Sequence, residues 1–233
     1  MKLYDLAWGP WTRRVTIYIQ EKGITDIEIV PLRYGEQRDP EMVAKNPLSF
    51  LPTLELEDGR CLFDSLAIIE YLEELYPSPN FIGRDPIERE RMRCYMHLCN
   101  EFFNRCMPYY ANTLPQFARA MPQSPAVAEW MKPFLDRTLF GLETMASNQG
   151  PFLMGETVSV ADCALYPMVH HNAENFDDHF LTDDYPKLKC WAEMFSKRES
   201  APCPLRDDGL REIEPVEPPP GQRFWWQKDG EAR

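Results

Sequence analysis

The chain has 233 residues, of which 44% are hydrophobic and 27% charged, a composition typical of a folded globular protein and not of a disordered one. Its 25 Lys and Arg residues against 37 Asp and Glu residues give a net charge of −12 at pH 7, which argues against a nucleic-acid-binding protein. The sequence has no long uninterrupted apolar stretch and no CxxC pair among its seven cysteines, so we expect a soluble cytoplasmic protein with reduced thiols and no membrane partner.

The first part of the chain predicts a strand, a helix and a second strand. Residues 2–6 and 27–30 are rich in apolar and β-branched side chains, which favour strands. Between them, residues 13–22 carry apolar side chains at helical spacing, and Gly23 follows at the position where a left-handed residue commonly ends a helix.

A hairpin and a helix follow. Residues 53–56 and 61–63 are short apolar runs on either side of an Asp-Gly turn, the strongest short-range hairpin signal. Asp64 and Ser65 then open a helix with a broad apolar face. The order of elements up to residue 76 is therefore βαβ, a connection, and ββα.

Long helical periods replace the strand pattern beyond about residue 78. The predicted helices cover residues 85–106, 124–146, 159–171 and 185–197. The last part of the chain is rich in proline, which neither continues a helix nor pairs inside a sheet, so we predict an extended tail. We interpret its aromatic cluster as a group that docks on the protein itself, with docking on a partner as the alternative: Phe224, Trp225 and Trp226.

Three motifs carry a resemblance to one family. Residues 46–54, NPLSFLPTL, are similar to the NPxxxVPTL loop of cytosolic glutathione transferases, which holds a cis-proline before the third strand. Residues 64–72, DSLAIIEYL, resemble the ESxAIxxYL helix start of the same proteins, and residues 155–162, GETVSVAD, resemble their G-x-x-x-S-x-A-D motif. The chain is identified as a member of the cytosolic glutathione transferase superfamily, nearest in its motifs to zeta, tau, omega-like and bacterial members.

The resemblance implies an α+β fold with two domains and a tail. A thioredoxin-like βαβ–ββα domain is expected over residues 1–78, an all-α helical-bundle domain over 85–200, and the Pro-rich extended tail over 201–233. It also implies glutathione as co-substrate, a hydrophobic small molecule as second substrate, and a homodimer. Ser159 and Asp162 form a variant of the capping box, for which we predict a structural role.

Two segments are predicted to bind glutathione. A cis peptide bond before Pro52 would turn the backbone of Leu51 outward to pair with the tripeptide, whereas an ordinary Leu-Pro turn is the alternative. At the next helix start, Ser65 and free N–H groups suit the γ-glutamyl carboxylate, and Asp64 suits the γ-glutamyl ammonium. The alternative for Asp64 is a plain helix N-cap.

The group that would ionise the thiol is not obvious, because Gly9 stands where serine- and cysteine-type members carry Ser or Cys. Backbone N–H groups from Trp11 onwards, the Thr12 hydroxyl and the charge of Arg13 or Arg14 are candidates. Thr12 is the preferred side chain, with a first-turn structural threonine as an equal alternative. Tyr4 is a second catalytic candidate.

The second substrate is expected between the domains. We predict an apolar pocket formed by Trp8, Tyr95, Phe103 and Tyr109. Phe50 stands where the family often has Gln or Lys, so Lys45, Arg38 or water would hold the glycine end of glutathione. The histidines lack companion ligands at recognisable spacing, and we predict no metal site: His97, His170, His171 and His179.

Three functional hypotheses follow. The first is a glutathione S-transferase whose thiolate attacks a hydrophobic electrophile by conjugation, ether cleavage or dehalogenation, in a detoxification role. The second is a non-catalytic binding or interaction protein that has lost the activating side chain at Gly9. The third is a glutathione-dependent isomerase, because residues 65–74 strongly resemble zeta-class members although their SSCxWRVR-like segment is absent.

Overall fold

A mixed four-stranded sheet forms the centre of the N-terminal part. The computed structural model of the protein describes residues 1–118, 121–176 and 180–204. The strand order is β2-β1-β3-β4, in which β1 runs parallel to β2 and the other pairs are antiparallel. All four predicted strands are confirmed, with no bound shifted by more than one residue: β1 (Lys2–Asp5), β2 (Glu28–Pro31), β3 (Thr53–Glu55) and β4 (Cys61–Phe63).

Three helices accompany the sheet: α1 (Pro10–Lys22), α2 (Pro40–Lys45) and α3 (Ser65–Leu75). Helix α1 begins three residues earlier than predicted, because proline is well accommodated at the first helical position. Gly23 ends it with φ of 70°, as expected. Helix α2 was not predicted, since its six residues are too few to show a periodic pattern.

The C-terminal part is helical, as predicted: α4 (Pro86–Thr113), α5 (Pro125–Met145), α6 (Val160–Phe176) and α7 (Pro186–Phe195). Helix α4 continues well past its predicted end at residue 106 and contains Pro108. A proline removes one backbone hydrogen bond, and here the packing of the buried Tyr110 and Ala111 extends the helix beyond it. No helix in the described part of the chain is both long and apolar enough to cross a membrane.

The start of α6 is organised by the buried carboxylate of Asp162. Its Oδ1 accepts hydrogen bonds from the Leu153 N–H at 2.9 Å and from the Trp191 indole at 2.7 Å. Its Oδ2 accepts from both the N–H and the hydroxyl of Ser159, at 2.8 and 2.6 Å. The predicted structural role is confirmed, but the Ser159 hydroxyl donates to Asp162 and does not cap the helix in return.

Helix α1 joins the two parts of the molecule. Glu21 near its end accepts two hydrogen bonds from Arg198 and one from Ser200, both of which follow α7. Helix α3 ends at Leu75 and α4 begins at Pro86; the domain limits at 1–78 and 85–200 stay predictions. Of the predicted tail, only residues 201–204 belong to the described residues, and its aromatic cluster lies outside them.

Candidate functional site

The strand register brings three segments to the same edge of the sheet. Tyr4 on β1 pairs with Thr53 on β3, and Thr53 pairs with Phe63 on β4. The start of α1 follows β1, Leu51 and Pro52 precede β3, and Asp64 and Ser65 follow β4. The segments predicted to bind glutathione therefore lie next to one another.

Leu51 presents an unpaired backbone edge. The Leu51–Pro52 peptide bond is cis, as predicted. The N–H and C=O groups of Leu51 form no hydrogen bond within residues 1–118, 121–176 and 180–204. The buried Asn46 holds the loop, because its Nδ2 donates to the Phe50 carbonyl at 2.8 Å and to Thr53 Oγ1 at 3.1 Å. An extended peptide can bind this edge as an added strand.

Asp64 is both a helix cap and a strained residue. Its Oδ1 accepts from the N–H groups of Leu66 and Ala67 at 2.9 and 3.2 Å, as the N-cap alternative required. Its φ of 74° is unusual for a residue other than glycine and costs about 1–3 kcal/mol, which is typical of functional positions. The carboxylate is exposed, and its Oδ2 makes no hydrogen bond among the described residues, so it remains available to an ammonium group.

Ser65 offers two donors at the start of α3. The residue is only 3% exposed, and its Oγ accepts one long contact from Arg14 Nη1 at 3.5 Å. Its hydroxyl hydrogen and its backbone N–H have no acceptor in the described part of the chain. A carboxylate placed there would receive both donors and the positive end of the helix dipole.

Arg14 lies beneath this helix start and is completely buried. Its Nε donates to the Ala164 carbonyl at 3.0 Å, its Nη1 to Asn100 Oδ1 at 2.6 Å, and its Nη2 to the Cys99 carbonyl at 3.3 Å. The guanidinium also stacks 4.6 Å from the centre of the Trp11 ring. Burial lowers the pKa of Arg14 to about 10, so the residue is charged at neutral pH.

The structure does not support Thr12 as the group that activates the thiol. Thr12 is 1% exposed, and its hydroxyl lies within hydrogen-bond distance of the carbonyl oxygens of Leu6 and of Gly9, the latter at 2.8 Å. A hydroxyl has one hydrogen to donate, and here a backbone carbonyl takes it. The structural alternative for Thr12 is the one that the geometry favours.

Gly9 fits its position because the loop before α1 is tight. Its N–H donates to the Leu6 carbonyl at 2.6 Å, and its φ of −68° would permit other residues. A Cβ at this position would lie 3.1 Å from the Leu6 carbonyl oxygen and 3.2 Å from Thr12 Oγ1. A serine or cysteine there would therefore require the loop to shift by a few tenths of an ångström.

Tyr4 does not point toward the start of α1. Alternation along β1 places it on the face of the sheet opposite to the buried Leu3. Its hydroxyl donates to Glu55 Oε2 at 2.6 Å, and Lys45 binds the same oxygen at 2.9 Å. Burial and the Glu55 carboxylate raise the pKa of Tyr4, so the geometry gives no support to Tyr4 as the group that activates a thiol.

Asp5 is a buried carboxylate at the end of β1, which sequence analysis missed. Asp5 is 3% exposed, and its Oδ1 has no hydrogen-bond partner among the described residues. Burial raises the pKa of Asp5 to about 6. The carboxylate is therefore largely ionised at pH 7, close to the loop that leads into α1.

An aromatic cluster lies beside α1. The Trp11 ring meets Phe103 edge-on at 4.4 Å, and the Trp8 ring stacks on His171 at 6.4 Å. Phe103 also contacts His171 at 6.4 Å, and Tyr34 lies 6.1 Å from Trp8. The predicted pocket residues Trp8 and Phe103 thus come together with Trp11, while His171, which the sequence analysis did not place in the site, joins them.

The other two predicted pocket residues lie elsewhere. Tyr95 is fully buried in the core, and its hydroxyl donates to the Leu153 carbonyl at 3.1 Å. Tyr109 lines an open groove of about 490 Å³ between α4 and α5, together with Pro125 and Lys132. Helical spacing explains the error, because a six-residue step from Phe103 to Tyr109 turns the side chain to another side of α4.

The two cations predicted to bind the glycine end of glutathione have different surroundings. Phe50 is 69% exposed on the loop before Pro52. Lys45 is occupied by Glu55, whose hydrogen bond raises the pKa of that lysine. Arg38 lies 5.7 Å from the Tyr34 ring, near the rim of the aromatic cluster. Arg38 is therefore the better placed of the two cations.

The described histidines do not form a metal site. Within residues 1–118, 121–176 and 180–204, no group of three or more His, Cys, Asp or Glu side chains could hold a metal ion. His97 is exposed, and His171 packs in the aromatic cluster. His179 lies outside the described residues.

Comparisons with known proteins match both parts of the chain. Residues 3–80 match the family model described as "Glutathione S-transferase, N-terminal domain", and residues 119–200 match "Glutathione S-transferase, C-terminal domain". Maleylacetoacetate isomerase of Pseudomonas aeruginosa is 30% identical over 205 residues, covering 83% of this chain and 90% of the relative.

Solved structures agree with these matches. A glutathione S-transferase from Methylobacillus flagellatus, solved with glutathione bound, superposes with a TM-score of 0.73 and 26% identity over 85% of this chain and 96% of its own. A bacterial maleyl pyruvate isomerase of the zeta class superposes with a TM-score of 0.69 and 26% identity over 86% of this chain and 94% of its own.

Proposed function

Because the chain belongs to the glutathione S-transferase family, we propose that it is a glutathione-dependent isomerase acting on a small, electron-poor alkene. The observation that carries the proposal is the set of unpaired donors and acceptors at Leu51, Asp64 and Ser65, which match an extended γ-glutamyl peptide. The isomerase names of two similar proteins favour isomerisation over the conjugation hypothesis.

Glutathione would lie across the sheet edge in an extended conformation. The backbone of Leu51 pairs with the cysteinyl residue, and the hydroxyl and N–H of Ser65 bind the γ-glutamyl carboxylate. Asp64 Oδ2 binds the ammonium group. Trp11, at the start of α1, lies where the sulfur would be held.

Backbone groups then take the place of the missing serine. Pro10 has no N–H, and the N–H of Arg13 donates to the Gly9 carbonyl at 3.0 Å. The N–H groups of Trp11 and Thr12 make no hydrogen bond in the described residues and face outward from the first turn of α1. Together with the helix dipole they favour a thiolate over a thiol.

The chemistry balances without another reactant. The thiolate forms a C–S bond at one carbon of a cis double bond conjugated to a carbonyl group, and the double-bond electrons move to the carbonyl oxygen. Rotation about the resulting single bond and loss of the thiolate then give the trans alkene and free glutathione. Glutathione is not consumed, whereas conjugation retains the C–S bond.

Conjugation is the second candidate, and the aromatic cluster of Trp8, Trp11 and Phe103 favours it. An aromatic wall suits a flat hydrophobic electrophile, because its rings offer a large area for dispersion contacts.

The test uses catalytic glutathione with excess cis-configured unsaturated diketone or keto acid, followed by proton NMR of the alkene and by thiol titration. We expect trans product in excess over glutathione with no loss of thiol. Loss of one thiol per product would replace isomerisation by conjugation. Glutathione binding without turnover of isomerisation substrates or aromatic electrophiles would favour the non-catalytic hypothesis.

Two properties implied by the family stay predictions. We propose that the protein is a homodimer and acts in the cytoplasm. Light scattering coupled to size exclusion should give about twice the chain mass of 27.3 kDa. A single-chain mass across the micromolar range would contradict the dimer.

A further inference from the structure

The chain after α7 runs back along α1. The guanidinium of Arg198 and the hydroxyl of Ser200 donate to the Glu21 carboxylate, near the end of α1. The next contact lies near the start of the same helix, where the buried Arg13 donates to the Ala201 carbonyl. The segment that follows α7 therefore runs in the direction opposite to α1 and leads toward the loop that precedes this helix.

The described part of the chain ends beside Trp8. Cys203 Sγ lies 4.0 Å from the Trp8 carbonyl oxygen, and Pro204 is the last described residue. Trp8 belongs to the aromatic cluster, in which its ring lies 6.1 Å from that of Tyr34. Residues 205–233 therefore start next to the side of the molecule that is predicted to bind the second substrate.

Part of the aromatic cluster is accessible from this side. Tyr34 is exposed and Trp8 and Trp11 are half-buried, whereas Phe103 is buried. We call the accessible rings of Tyr34, Trp8 and Trp11 the aromatic face. Rings of this kind bind other aromatic side chains through large contact areas and offset or edge-on packing.

The tail carries three consecutive aromatic residues: Phe224, Trp225 and Trp226. Trp225 follows Pro204 by 21 residues (225 − 204 = 21), which span about 70 Å when fully extended, so the group reaches the aromatic face. Because both lie in one chain, docking is intramolecular, and the tether gives the group a high effective concentration at surfaces close to Pro204.

A second aromatic pair lies on a different part of the surface. Trp130 and Phe134 on α5 are exposed, with ring centres 5.0 Å apart. Helix α5 packs chiefly against α4 and α7, whereas α1 packs against α3 and α6. For a given tether the effective concentration falls with the distance to be spanned, so the tail favours the aromatic face over the α5 pair.

We propose that the aromatic group of the tail, Phe224, Trp225 and Trp226, docks on the aromatic face of its own chain and competes there with the second substrate. The docked tail leaves the glutathione-binding groups of Leu51 and Ser65 accessible. Docking does not depend on the proposed function, whereas the competition with a second substrate rests on it.

Fluorine NMR of the full chain tests the docking. The chain has six tryptophans, at positions 8, 11, 130, 191, 225 and 226, and fluorotryptophan in their place gives one signal each, assigned with Trp→Phe variants. The double variant Trp225→Ala, Trp226→Ala should shift the signals of Trp8 and Trp11 by more than their width. The signals of Trp130 and of the buried Trp191 should stay in place, which also shows that the core is unchanged.

The matched control is Trp130→Ala, which removes an exposed tryptophan of α5 and should leave the Trp8 signal unchanged. Signals of Trp8 and Trp11 that do not move in the double variant would overturn the inference, and a shift of Trp130 in their place would assign the tail to α5. If unlabelled wild type added in excess to the labelled double variant restored the Trp8 signal, the tail would dock on a second copy, which would overturn docking within one chain.

A hydrophobic fluorescent probe, anilinonaphthalene sulfonate, tests the competition. The double variant should bind the probe about tenfold more tightly than wild type, because no tethered group competes for the aromatic face. Equal or weaker binding of the probe would overturn the competition. The affinity for S-methylglutathione should stay within twofold of wild type. If the wild type fails to bind S-methylglutathione at millimolar concentration, the proposed function fails while the fluorine signals still decide the docking.

Discussion

The starts of α3 and α1 differ in the charge buried beneath them. Under α3, the guanidinium of Arg14 contacts Ser65, which itself keeps two donors for a ligand. Near α1, the buried charge is the carboxylate of Asp5, and the Thr12 hydroxyl is directed to backbone carbonyls. Both helix starts carry the same positive dipole, but only α3 adds a side-chain donor and a cation to it.

This difference separates binding from activation. The α3 side is well suited to a carboxylate, whereas the α1 side has only backbone N–H groups to stabilise a thiolate, and Asp5 opposes the negative charge. We therefore expect tight binding of glutathione and modest activation of its sulfur.

The largest expected effect concerns Asp5. Its pKa of about 6 in the folded protein lies above the unfolded value of about 3.9, so the native state binds the extra proton and stability falls as pH rises from 4 to 6. Asp5→Asn should remove this loss. Its free energy of unfolding should exceed that of wild type by about 2–3 kcal/mol at pH 7 and differ little from it at pH 4.

Urea denaturation from pH 4 to pH 7 measures this difference, and Asp39→Asn, at an exposed position, is the control for net charge. If the free energies of unfolding of Asp5→Asn and wild type differ by the same amount at every pH, ionisation of Asp5 does not destabilise the folded protein. If the carboxylate does oppose the thiolate, the same variant should also lower the pKa of bound glutathione.

Ser65→Ala addresses the α3 side. It removes one donor to a charged carboxylate, and we expect the affinity for glutathione to fall by about ten- to a hundredfold in titration calorimetry. Ser196→Ala, at an exposed serine after α7, is the matched control. Unchanged affinity in Ser65→Ala would mean that the carboxylate binds elsewhere.

Gly9→Ser and Gly9→Ala form a pair that addresses the α1 side. Both variants introduce the Cβ that crowds Leu6 and Thr12, so both should lose about 1 kcal/mol of stability. Only the serine adds a donor, and it should raise the thiolate fraction of bound glutathione about tenfold below its pKa, seen as absorbance of the thiolate. Equal absorbance in the two variants would show that a hydroxyl at this position cannot reach the sulfur.

Thr12→Val gives the smallest expected effect and sharpens the assignment of the α1 side. The change removes a buried hydroxyl that bonds to the loop, so the free energy of unfolding should fall by about 1 kcal/mol. The pKa of the bound thiol should stay the same as in wild type. A clear rise in that pKa would restore Thr12 as the activating residue.

Much of the fold and part of the site were predictable from sequence. The spacing of apolar residues, the turn residues and the helix caps are local signals, and they predicted the strands and all the long helices. The loop around Pro52 and the helix start at Ser65 were predictable because the chemistry lies within a few consecutive residues. Helix α2 and the end of α4 were not, because short helices lack a period and tertiary packing carried α4 past Pro108.

The sequence by itself determined the order of the elements, the two helix starts and the presence of Asp64 and Ser65 at the second of them. Only the tertiary structure decided that the Thr12 and Tyr4 hydroxyls bond to other groups of the protein. It also decided that Tyr95 belongs to the core and that Arg14 contacts both Asn100 and Ser65. The physical reason is distance along the chain. The hydrogen-bond partners of Tyr4 and Arg14 are 50 to 90 positions away along the chain. These partners set the charge state of a side chain and the direction in which a hydroxyl donates its hydrogen, and no local sequence pattern specifies them.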